Sequence, residues 1–171
     1  RLFDDQLEYI ANHAEDRVLI YDAAFAPLVE RMKPRWRSIT HYIRFDGAGA
    51  DPGFSEWIDR EDGDAAWLPG NERDACMLCY TSGTTGHPKG VLYSHRSTVL
   101  HALAGLQPGV FGMDARSVIL PVVPMFHAAS WGLPWAGAMA GSKFVYVQGN
   151  DPAMLIDAMN REKVTVSAGV P

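Results

Sequence analysis

Apolar residues along this chain recur with two different spacings, which predict helices and strands in alternation. Four apolar residues recur at helical spacing within residues 7–14, whereas the apolar run at residues 18–21 is typical of a short strand. The same patterns then predict a helix at residues 25–32, a strand at residues 38–45 and a short helix at residues 54–59. Residues 46–74 are mostly polar and rich in Gly and Asp, and they give no clear domain boundary.

The pattern continues through the second half of the chain with shorter connections. Strands at residues 75–80, 91–93, 118–122, 143–147 and 164–167 alternate with helices at residues 95–106, 131–140 and 153–162. Ser94 and Asp151 are expected to cap two of these helices, because their side-chain oxygens can accept bonds from the first free N–H groups. Such alternation calls for right-handed crossovers, so the predicted fold class is α/β, with a mostly parallel sheet covered by helices.

A loop rich in Gly, Ser and Thr follows the predicted strand at residues 75–80. It reads YTSGTTGHPKGV at residues 80–91 and is called the glycine-rich loop below. Its glycines allow main-chain N–H groups to point toward an anion, its hydroxyls add donors, and Lys89 adds a compact positive charge. These residue types favour a polyphosphate ligand, and their composition alone would also suit a surface turn.

Two common phosphate-binding motifs are excluded. The P-loop of NTPases requires a Gly-Lys dipeptide, which this chain lacks. Gly47, Gly49 and Gly53 are spaced one residue too far apart for the dinucleotide motif G-x-G-x-x-G, and they open no periodic helix. The glycine-rich loop is therefore a motif of a different kind.

The order of residues in the loop resembles the Tyr-Thr-Ser-Gly-Thr-Thr-Gly-x-Pro-Lys-Gly-Val signature of the acyl-adenylate-forming (AMP-binding) superfamily. That superfamily includes acyl-CoA synthetases, firefly-type luciferases and nonribosomal peptide adenylation domains. Residues 124–147, PMFHAASWGLPWAGAMAGSKFVYV, resemble its second core motif in the form found in fatty-acyl-CoA synthetases. The less distinctive segments at residues 1–22 and 162–171 resemble the same synthetases, so the likeness spans the chain.

The resemblance implies how much of an enzyme this chain represents. Enzymes of the family are several hundred residues long, whereas this chain has 171 residues and begins without Met. We therefore expect residues 1–171 to be an incomplete part of the large N-terminal AMP-binding domain, with the C-terminal domain absent. A later glutamate motif, the ribose-binding aspartate and the C-terminal catalytic lysine of the family are also missing.

The resemblance implies a two-step reaction with ATP, Mg²⁺ and coenzyme A. A carboxylic acid, expected to be a fatty acid, attacks ATP to give acyl-adenylate and pyrophosphate, and the thiol of coenzyme A then displaces AMP. The implied nucleotide-binding residues are Thr81, Ser82, Gly83, Thr84, Thr85, Gly86 and Lys89. The implied catalytic residues are Lys89, which would stabilise the departing pyrophosphate, and His127, which would orient the acyl carboxylate. Thr81 would also help to bind Mg²⁺.

The expected activity is that of an acid–thiol ligase in a longer parent enzyme, with no complete activity in the isolated chain. One alternative is a relative that activates an acid and loads it onto a carrier protein. Another is a noncatalytic phosphate-binding remnant. Nothing in the sequence indicates the acyl chain length or the oligomeric state.

Composition and charge argue against a nucleic-acid partner, a membrane span and a signal peptide. The formal net charge of −5 argues against a nucleic-acid partner, since nucleic-acid binders are usually basic. No apolar run approaches the roughly 18–20 residues of a membrane span, and the first nine residues lack the apolar core of a signal peptide. The expected location is the cytoplasm.

Several residues of the second motif have a structural as well as a functional interpretation. A lone histidine such as His127 is usually structural, and the family resemblance is what favours a functional role. Trp131, Trp135, Met125 and Met139 could line a pocket for an apolar chain, although packing of an amphipathic helix is the simpler interpretation.

Two cysteines and three further histidines receive no functional assignment. Cys76 and Cys79 have C-x-x-C spacing, but a strand would point them to opposite faces, so we expect buried structural thiols. His95 and His101 are six residues apart and would not share a helix face, which argues against a metal pair. His87 occupies the variable position of the glycine-rich loop and is assigned no role.

Overall fold

A computed structural model describes residues 2–66, 68–81, 86–147, 149 and 151–169. The chain divides into two compact units. The first unit comprises Arg1–Pro69 and Ser82–Lys89. The second unit comprises Gly70–Thr81 and Gly90–Pro171.

Strands and helices alternate along the described residues, as the sequence predicts. The strands are β1 (Val18–Tyr21), β2 (His41–Arg44), β3 (Ala75–Thr81), β4 (Lys89–Ser94), β5 (Val118–Pro121), β6 (Lys143–Phe144) and β7 (Val166–Ala168). The helices are α1 (Asp4–Ala14), α2 (Ala26–Met32), α3 (Phe54–Ile58), α4 (His95–Gly105), the short turn α5 (Ala128–Trp131), α6 (Leu133–Ala140) and α7 (Pro152–Glu162). A 3₁₀ turn, Ala23–Phe25, precedes α2.

The first unit contains a parallel pair of strands covered by helices. Strand β1 pairs with β2 in the register that places Val18 opposite His41. Val29 and Met32 of α2 are almost completely buried and pack with Trp36 and Ile39 in one apolar cluster. Because these residues are apolar and close-packed, the cluster holds α1 and α2 to the strands.

The second unit contains a three-stranded parallel sheet in the order β6-β5-β7. Its central strand is buried on both faces, as expected of a parallel sheet with helices on both sides. Ile119 packs on one face with Leu133 and Ala136 of α6, and Leu120 packs on the other face with Ala158 of α7. The predicted α/β class is therefore confirmed, and the described strands form three small sheets.

Both predicted helix caps are present. The side chain of Ser94 accepts a hydrogen bond from the backbone N–H of Ser97 at 3.1 Å, at the start of α4. The side chain of Asp151 accepts from the N–H of Ala153 at 2.9 Å, and Pro152 occupies the first turn of α7. Local side-chain chemistry thus fixes where these helices begin.

Some predicted boundaries are wrong. The strand predicted at residues 143–147 is limited to Lys143–Phe144, because β6 pairs with only two residues of β5. The strand predicted at residues 164–167 is shifted to Val166–Ala168 by its register with β5. The strand predicted at residues 38–45 is shorter, because only His41–Arg44 pair with β1.

The prediction of buried cysteines is also wrong. Cys76 is exposed and Cys79 is half-buried, and both are free thiols. They belong to β3, which pairs with β4 in a two-stranded sheet whose side chains are mostly exposed or half-buried. Within the described part of the chain, no helix is long and apolar enough to cross a membrane.

Candidate functional site

The glycine-rich loop connects β3 to β4. Thr81 is the last residue of β3 and Lys89 is the first residue of β4, and both are exposed. Lys89 therefore begins a strand, which is longer than the one predicted at residues 91–93. The structure assigns Thr81 to the second unit and Lys89 to the first. Four predicted nucleotide-binding residues lie outside the described residues, namely Ser82, Gly83, Thr84 and Thr85.

Two glycines of the loop have a structural reason to be glycine. Gly86 has a φ of +94°, in the left-handed region that favours glycine. At Gly90, a Cβ atom would lie 3.0 Å from Cδ1 of Leu78 and 3.5 Å from Cζ of Tyr80. Strands β3 and β4 therefore approach closely at Gly90, because no side chain separates them there.

His87 contacts the first helix of the same unit. Its imidazole stacks on the ring of Tyr9 with a centroid distance of 4.3 Å and an interplanar angle of 15°. The ring of Tyr9 also stacks on that of His13 in the same helix, with a centroid distance of 5.1 Å. These rings lie in a cleft of about 510 Å³ whose lining residues are Asp5, Glu8, Tyr9, Asn12, His13, Arg37 and His87. Since sequence spacing gives no indication of this contact, His87 received no predicted role.

His127 is exposed and follows the carboxyl end of β5. Its backbone N–H donates to the carbonyl oxygen of Pro124 at 3.0 Å, which closes a turn after the strand. The N–H groups of Val122 and Val123 both donate to the carbonyl oxygen of Ala168 in β7, so the segment before the turn is fixed to the sheet. His127 thus lies where ligands bind in parallel α/β sheets, beyond the carboxyl ends of the strands.

The four residues after His127 form a left-handed turn. The φ angles of Ala128, Ala129, Ser130 and Trp131 are 45°, 51°, 53° and 55°. A left-handed backbone costs about 1–2 kcal/mol for each residue that carries a Cβ atom. The helix predicted at residues 131–140 is therefore wrong at its start, and the right-handed helix α6 begins at Leu133.

Among the described residues, two side-chain hydrogen bonds hold this turn and offset part of its strain. Ser130 is completely buried, and its hydroxyl donates to the carbonyl oxygen of Val123 at 2.8 Å. The Nε2 atom of His101 in α4 lies 3.0 Å from the carbonyl oxygen of Trp131. Gly132 follows with a φ of +77°, and a Cβ atom there would lie 2.5 Å from Cδ2 of His101. The imidazole of His101 thus fills the space beside Gly132.

A cavity of about 360 Å³ lies within the second unit beside this turn. Its lining residues are Met77, Tyr93, Ser97, Thr98, His101, Ala128, Ala129, Trp131, Gly132 and Trp135. Most of the lining is apolar or aromatic, and a few hydroxyl and imidazole groups are polar. This combination is typical of a site for a small apolar ligand with a polar end.

Of the four residues considered for an apolar pocket, the structure places two in the lining of the cavity. Trp131 and Trp135 are half-buried and line the cavity. Met125 and Met139 are not among its lining residues, and their exposed fractions are 50% and 45%. Sequence reasoning missed His101 as a lining residue, because its partner Trp131 is thirty positions away in the chain.

Polar and charged groups cluster in the first unit. The phenol of Tyr21 donates to the Asp51 carboxylate at 2.6 Å, and Nζ of Lys33 donates to the same carboxylate at 2.9 Å. Burial and the Asp51 hydrogen bond raise the pKa of Tyr21 to about 12. Burial opposes ionisation of Asp51, but the bonds from Tyr21 and Lys33 outweigh it and lower the pKa of Asp51. Within the described residues, no group of three His, Cys, Asp or Glu side chains could hold a metal ion.

Comparison with solved structures defines the class of protein first. The N-terminal domain of FACL13 from Mycobacterium tuberculosis, solved with an inhibitor, matches all of this chain and 42% of its own chain, with 26% identity and a TM-score of 0.76. The anthranilate CoA ligase AuaEII, solved with anthranoyl-AMP, matches 97% of this chain and 33% of its own, with 24% identity and a TM-score of 0.81. The fold is therefore that of the N-terminal domain of adenylate-forming enzymes.

Comparison of sequences identifies the family. The model of the AMP-binding enzyme family matches residues 1–171, and the chain belongs to this family. The 3-methylmercaptopropionyl-CoA ligase of Ruegeria pomeroyi is 48% identical over the whole of this chain, which covers 33% of that protein. The medium-chain-fatty-acid–CoA ligase of Ectopseudomonas oleovorans is 40% identical over the whole chain, which again covers 33% of it. The chain spans about one third of the length of these relatives.

Proposed function

We propose that this chain is part of an acid–thiol ligase that activates a carboxylic acid with ATP and transfers the acyl group to coenzyme A. The observation that carries the proposal is the match of the whole chain, at 40% and 48% identity, to two proteins named as CoA ligases. One of these proteins is named for a methylmercaptopropionyl group and the other for medium-chain fatty acids, so the proposed substrate is a fatty acid or a related short acid.

In the first step, an oxygen of the carboxylate attacks the α-phosphorus of ATP. The bond from this phosphorus to the bridging oxygen breaks, and pyrophosphate leaves with the electron pair. The role proposed for Lys89 is to hold the β- and γ-phosphates and stabilise the charge that grows on them. The amides and hydroxyls of the glycine-rich loop, including Ser82, Gly83, Thr84, Thr85 and Gly86, are proposed to bind the same phosphates.

Mg²⁺ is proposed to accompany ATP and to neutralise part of its charge. Thr81 fits such an ion, because it is an exposed residue with a hydroxyl oxygen at the end of β3, and Mg²⁺ accepts oxygen ligands together with substrate phosphates. Thr81 is therefore proposed as one ligand.

His127 is proposed to orient the carboxylate. Its exposure and its position beyond the carboxyl end of β5 support this role, because an imidazole N–H there can donate to a substrate oxygen. The neighbouring cavity of about 360 Å³ is proposed to hold the apolar part of the acid against Trp131 and Trp135.

In the second step, the thiolate of coenzyme A attacks the acyl carbon and AMP leaves with the electron pair of the broken bond. We place residues 1–171 within the N-terminal domain of a longer ligase in the cytoplasm. The remaining parts of that ligase would supply the contacts to adenine, ribose and coenzyme A, so the chain alone is expected to lack complete activity.

Carboxylate-dependent exchange of pyrophosphate into ATP tests the proposal. Two proteins are compared: the 171-residue chain, and a hybrid ligase in which residues 1–171 replace the matching third of the Ruegeria pomeroyi enzyme. The acids range from three to twelve carbons. We expect exchange in the hybrid ligase only, and formation of acyl-CoA when coenzyme A is added.

Two results would contradict the proposal. A folded hybrid ligase that catalyses no exchange with any acid would favour a noncatalytic phosphate-binding remnant, provided that the unmodified Ruegeria enzyme is active in the same assay. The second result is exchange without formation of acyl-CoA, together with transfer of the acyl group to a carrier protein. It would show that the acyl acceptor is a carrier protein and not coenzyme A.

A further inference from the structure

Within the described part of the chain, a side chain of α4 bonds to the left-handed turn at Ala128–Trp131. Ser130 belongs to the turn itself and is bonded to Val123, seven residues earlier. His101 belongs to α4, and its Nε2 atom lies 3.0 Å from the carbonyl oxygen of Trp131. This hydrogen bond joins α4 to the turn, and both of its residues line the cavity.

The direction of the bond follows from its acceptor. A carbonyl oxygen only accepts, so Nε2 of His101 must carry the hydrogen. The neutral Nε2–H tautomer and the imidazolium ion both meet this requirement. The contact therefore requires a donor at the Nε2 position, and it does not require a charge.

Packing at Gly132 is a second, independent observation that His101 is closely packed against the turn beside the cavity. A Cβ atom at Gly132 would lie 2.8 Å from Nε2 and 2.5 Å from Cδ2 of His101. Gly132 therefore leaves room for the imidazole at the point where the chain passes from the left-handed turn to α6. The ring both bonds to the turn and occupies the space beside it.

We propose that His101 is a positioning residue, which fixes the left-handed turn and thereby the place of the Trp131 indole in the cavity wall. The consequence rests on the proposed function: if the cavity holds the apolar part of the acid, His101 determines which acids fit. His101 does not contact the reacting atoms in this proposal. It acts on acid selectivity through the backbone of Trp131.

Two substitutions at His101 distinguish the effect of the hydrogen bond from the effect of side-chain volume. His101→Gln keeps an N–H donor at a similar reach, whereas His101→Leu keeps bulk and removes the donor. His95→Leu is the matched control, because His95 is an exposed histidine at the first position of the same helix and does not line the cavity.

Acid selectivity is measured in the hybrid ligase as KM for each acid from three to twelve carbons. KM for ATP is measured in the same variants for comparison. Loss of a neutral hydrogen bond corresponds to about a fivefold change. We expect His101→Leu to raise KM for the best acid about fivefold and to change the ranking of acids, with KM for ATP unchanged. His101→Gln and His95→Leu are expected to stay within about twofold of the unsubstituted hybrid.

Equal changes in KM for acid and for ATP, or an unchanged ranking of acids in His101→Leu, would overturn the inference. An equal loss in His101→Gln and His101→Leu would also overturn it, because the donor would then be irrelevant. If the unsubstituted hybrid activates no acid, the proposed function fails together with the effect on selectivity.

The positioning role is tested separately in the 171-residue chain, which contains five tryptophans. The chain is labelled with fluorotryptophan, and the ¹⁹F resonance of Trp131 is assigned by Trp131→Phe. We expect His101→Leu to shift or broaden this resonance, and His101→Gln to leave it nearly unchanged. An unperturbed Trp131 resonance in His101→Leu would refute the positioning role, whether or not the hybrid ligase is active.

Discussion

The imidazole of His87 stacks on the phenol ring of Tyr9, with ring centroids 4.3 Å apart and planes inclined by 15°. His87 lies between Gly86 and Pro88 in the glycine-rich loop, and Tyr9 lies in α1. Because Pro88 is buried directly after His87, this end of the loop is held by packing as well as by the strand that begins at Lys89.

The stack predicts that Tyr9 affects binding of ATP. An aromatic pair contributes about 0.5–1.5 kcal/mol, so Tyr9→Ala is expected to raise KM for ATP in the hybrid ligase about 2- to 10-fold. Tyr9→Phe keeps the ring and is expected to behave like the unsubstituted protein. If Tyr9→Phe loses as much affinity as Tyr9→Ala, the hydroxyl rather than the ring is the important group.

Lys89 is predicted to be required for the proposed first step. A hydrogen bond to a charged group contributes about 1.5–3 kcal/mol, so Lys89→Ala should lower kcat/KM for pyrophosphate exchange by about 10- to 100-fold. The control is Lys143→Ala, which removes an exposed lysine that pairs with Glu162 at 2.7 Å. Comparable activity of the two variants would show that Lys89 does not bind the phosphates.

Gly132 is predicted to be intolerant of any side chain. Gly132→Ala combines a positive φ with a contact of 2.5 Å to His101, and we expect it to lower the free energy of unfolding by about 3 kcal/mol. Gly141→Ala is a control in the same unit, with a φ of +71° and only an ordinary contact at 3.9 Å, and it should cost about 1 kcal/mol. Urea denaturation of the two variants measures the difference.

A double substitution isolates the steric part of this effect. His101→Ala removes the ring that meets the new Cβ atom, so Gly132→Ala should be less destabilising in that background. Additive losses in the double variant would show that the imidazole does not occupy the space beside Gly132 in solution.

Tyr21 is predicted to make stability depend on alkaline pH. Burial and the hydrogen bond to Asp51 raise its pKa from the usual 10.0 to about 12 in the folded protein. A raised pKa contributes stability that is fully present below pH 10 and is lost as the pH rises toward 12, by an amount on the order of 2 kcal/mol.

The measurement compares urea denaturation of the original chain and Tyr21→Phe between pH 8 and pH 12. The pKa of Lys33 is also raised, because its bonds to Glu30 and Asp51 outweigh burial, so both proteins lose stability with rising pH. The loss specific to Tyr21 is the difference between the two curves. Parallel curves across this range would contradict the prediction.

The sequence predicted the order of helices and strands well, because local patterns carry that information. The caps at Ser94 and Asp151 and the apolar run of β5 depend on residues close together in the chain. Strand lengths were predicted less well, because the length of β6 depends on how many residues its neighbour β5 offers for pairing. The prediction that Cys76 and Cys79 are buried was wrong for a similar reason, because their burial depends on what covers the two-stranded sheet.

By itself, the sequence determined the α/β class, the family and the residues of the glycine-rich loop, because these follow from periodicity and from the order of residues in a continuous motif. Only the tertiary structure showed the left-handed turn before α6, the bond from His101 to Trp131 and the stack of His87 on Tyr9. Residues far apart in the chain make these contacts. A left-handed backbone at residues with side chains is locally unfavourable, so it forms only where surrounding contacts stabilise it.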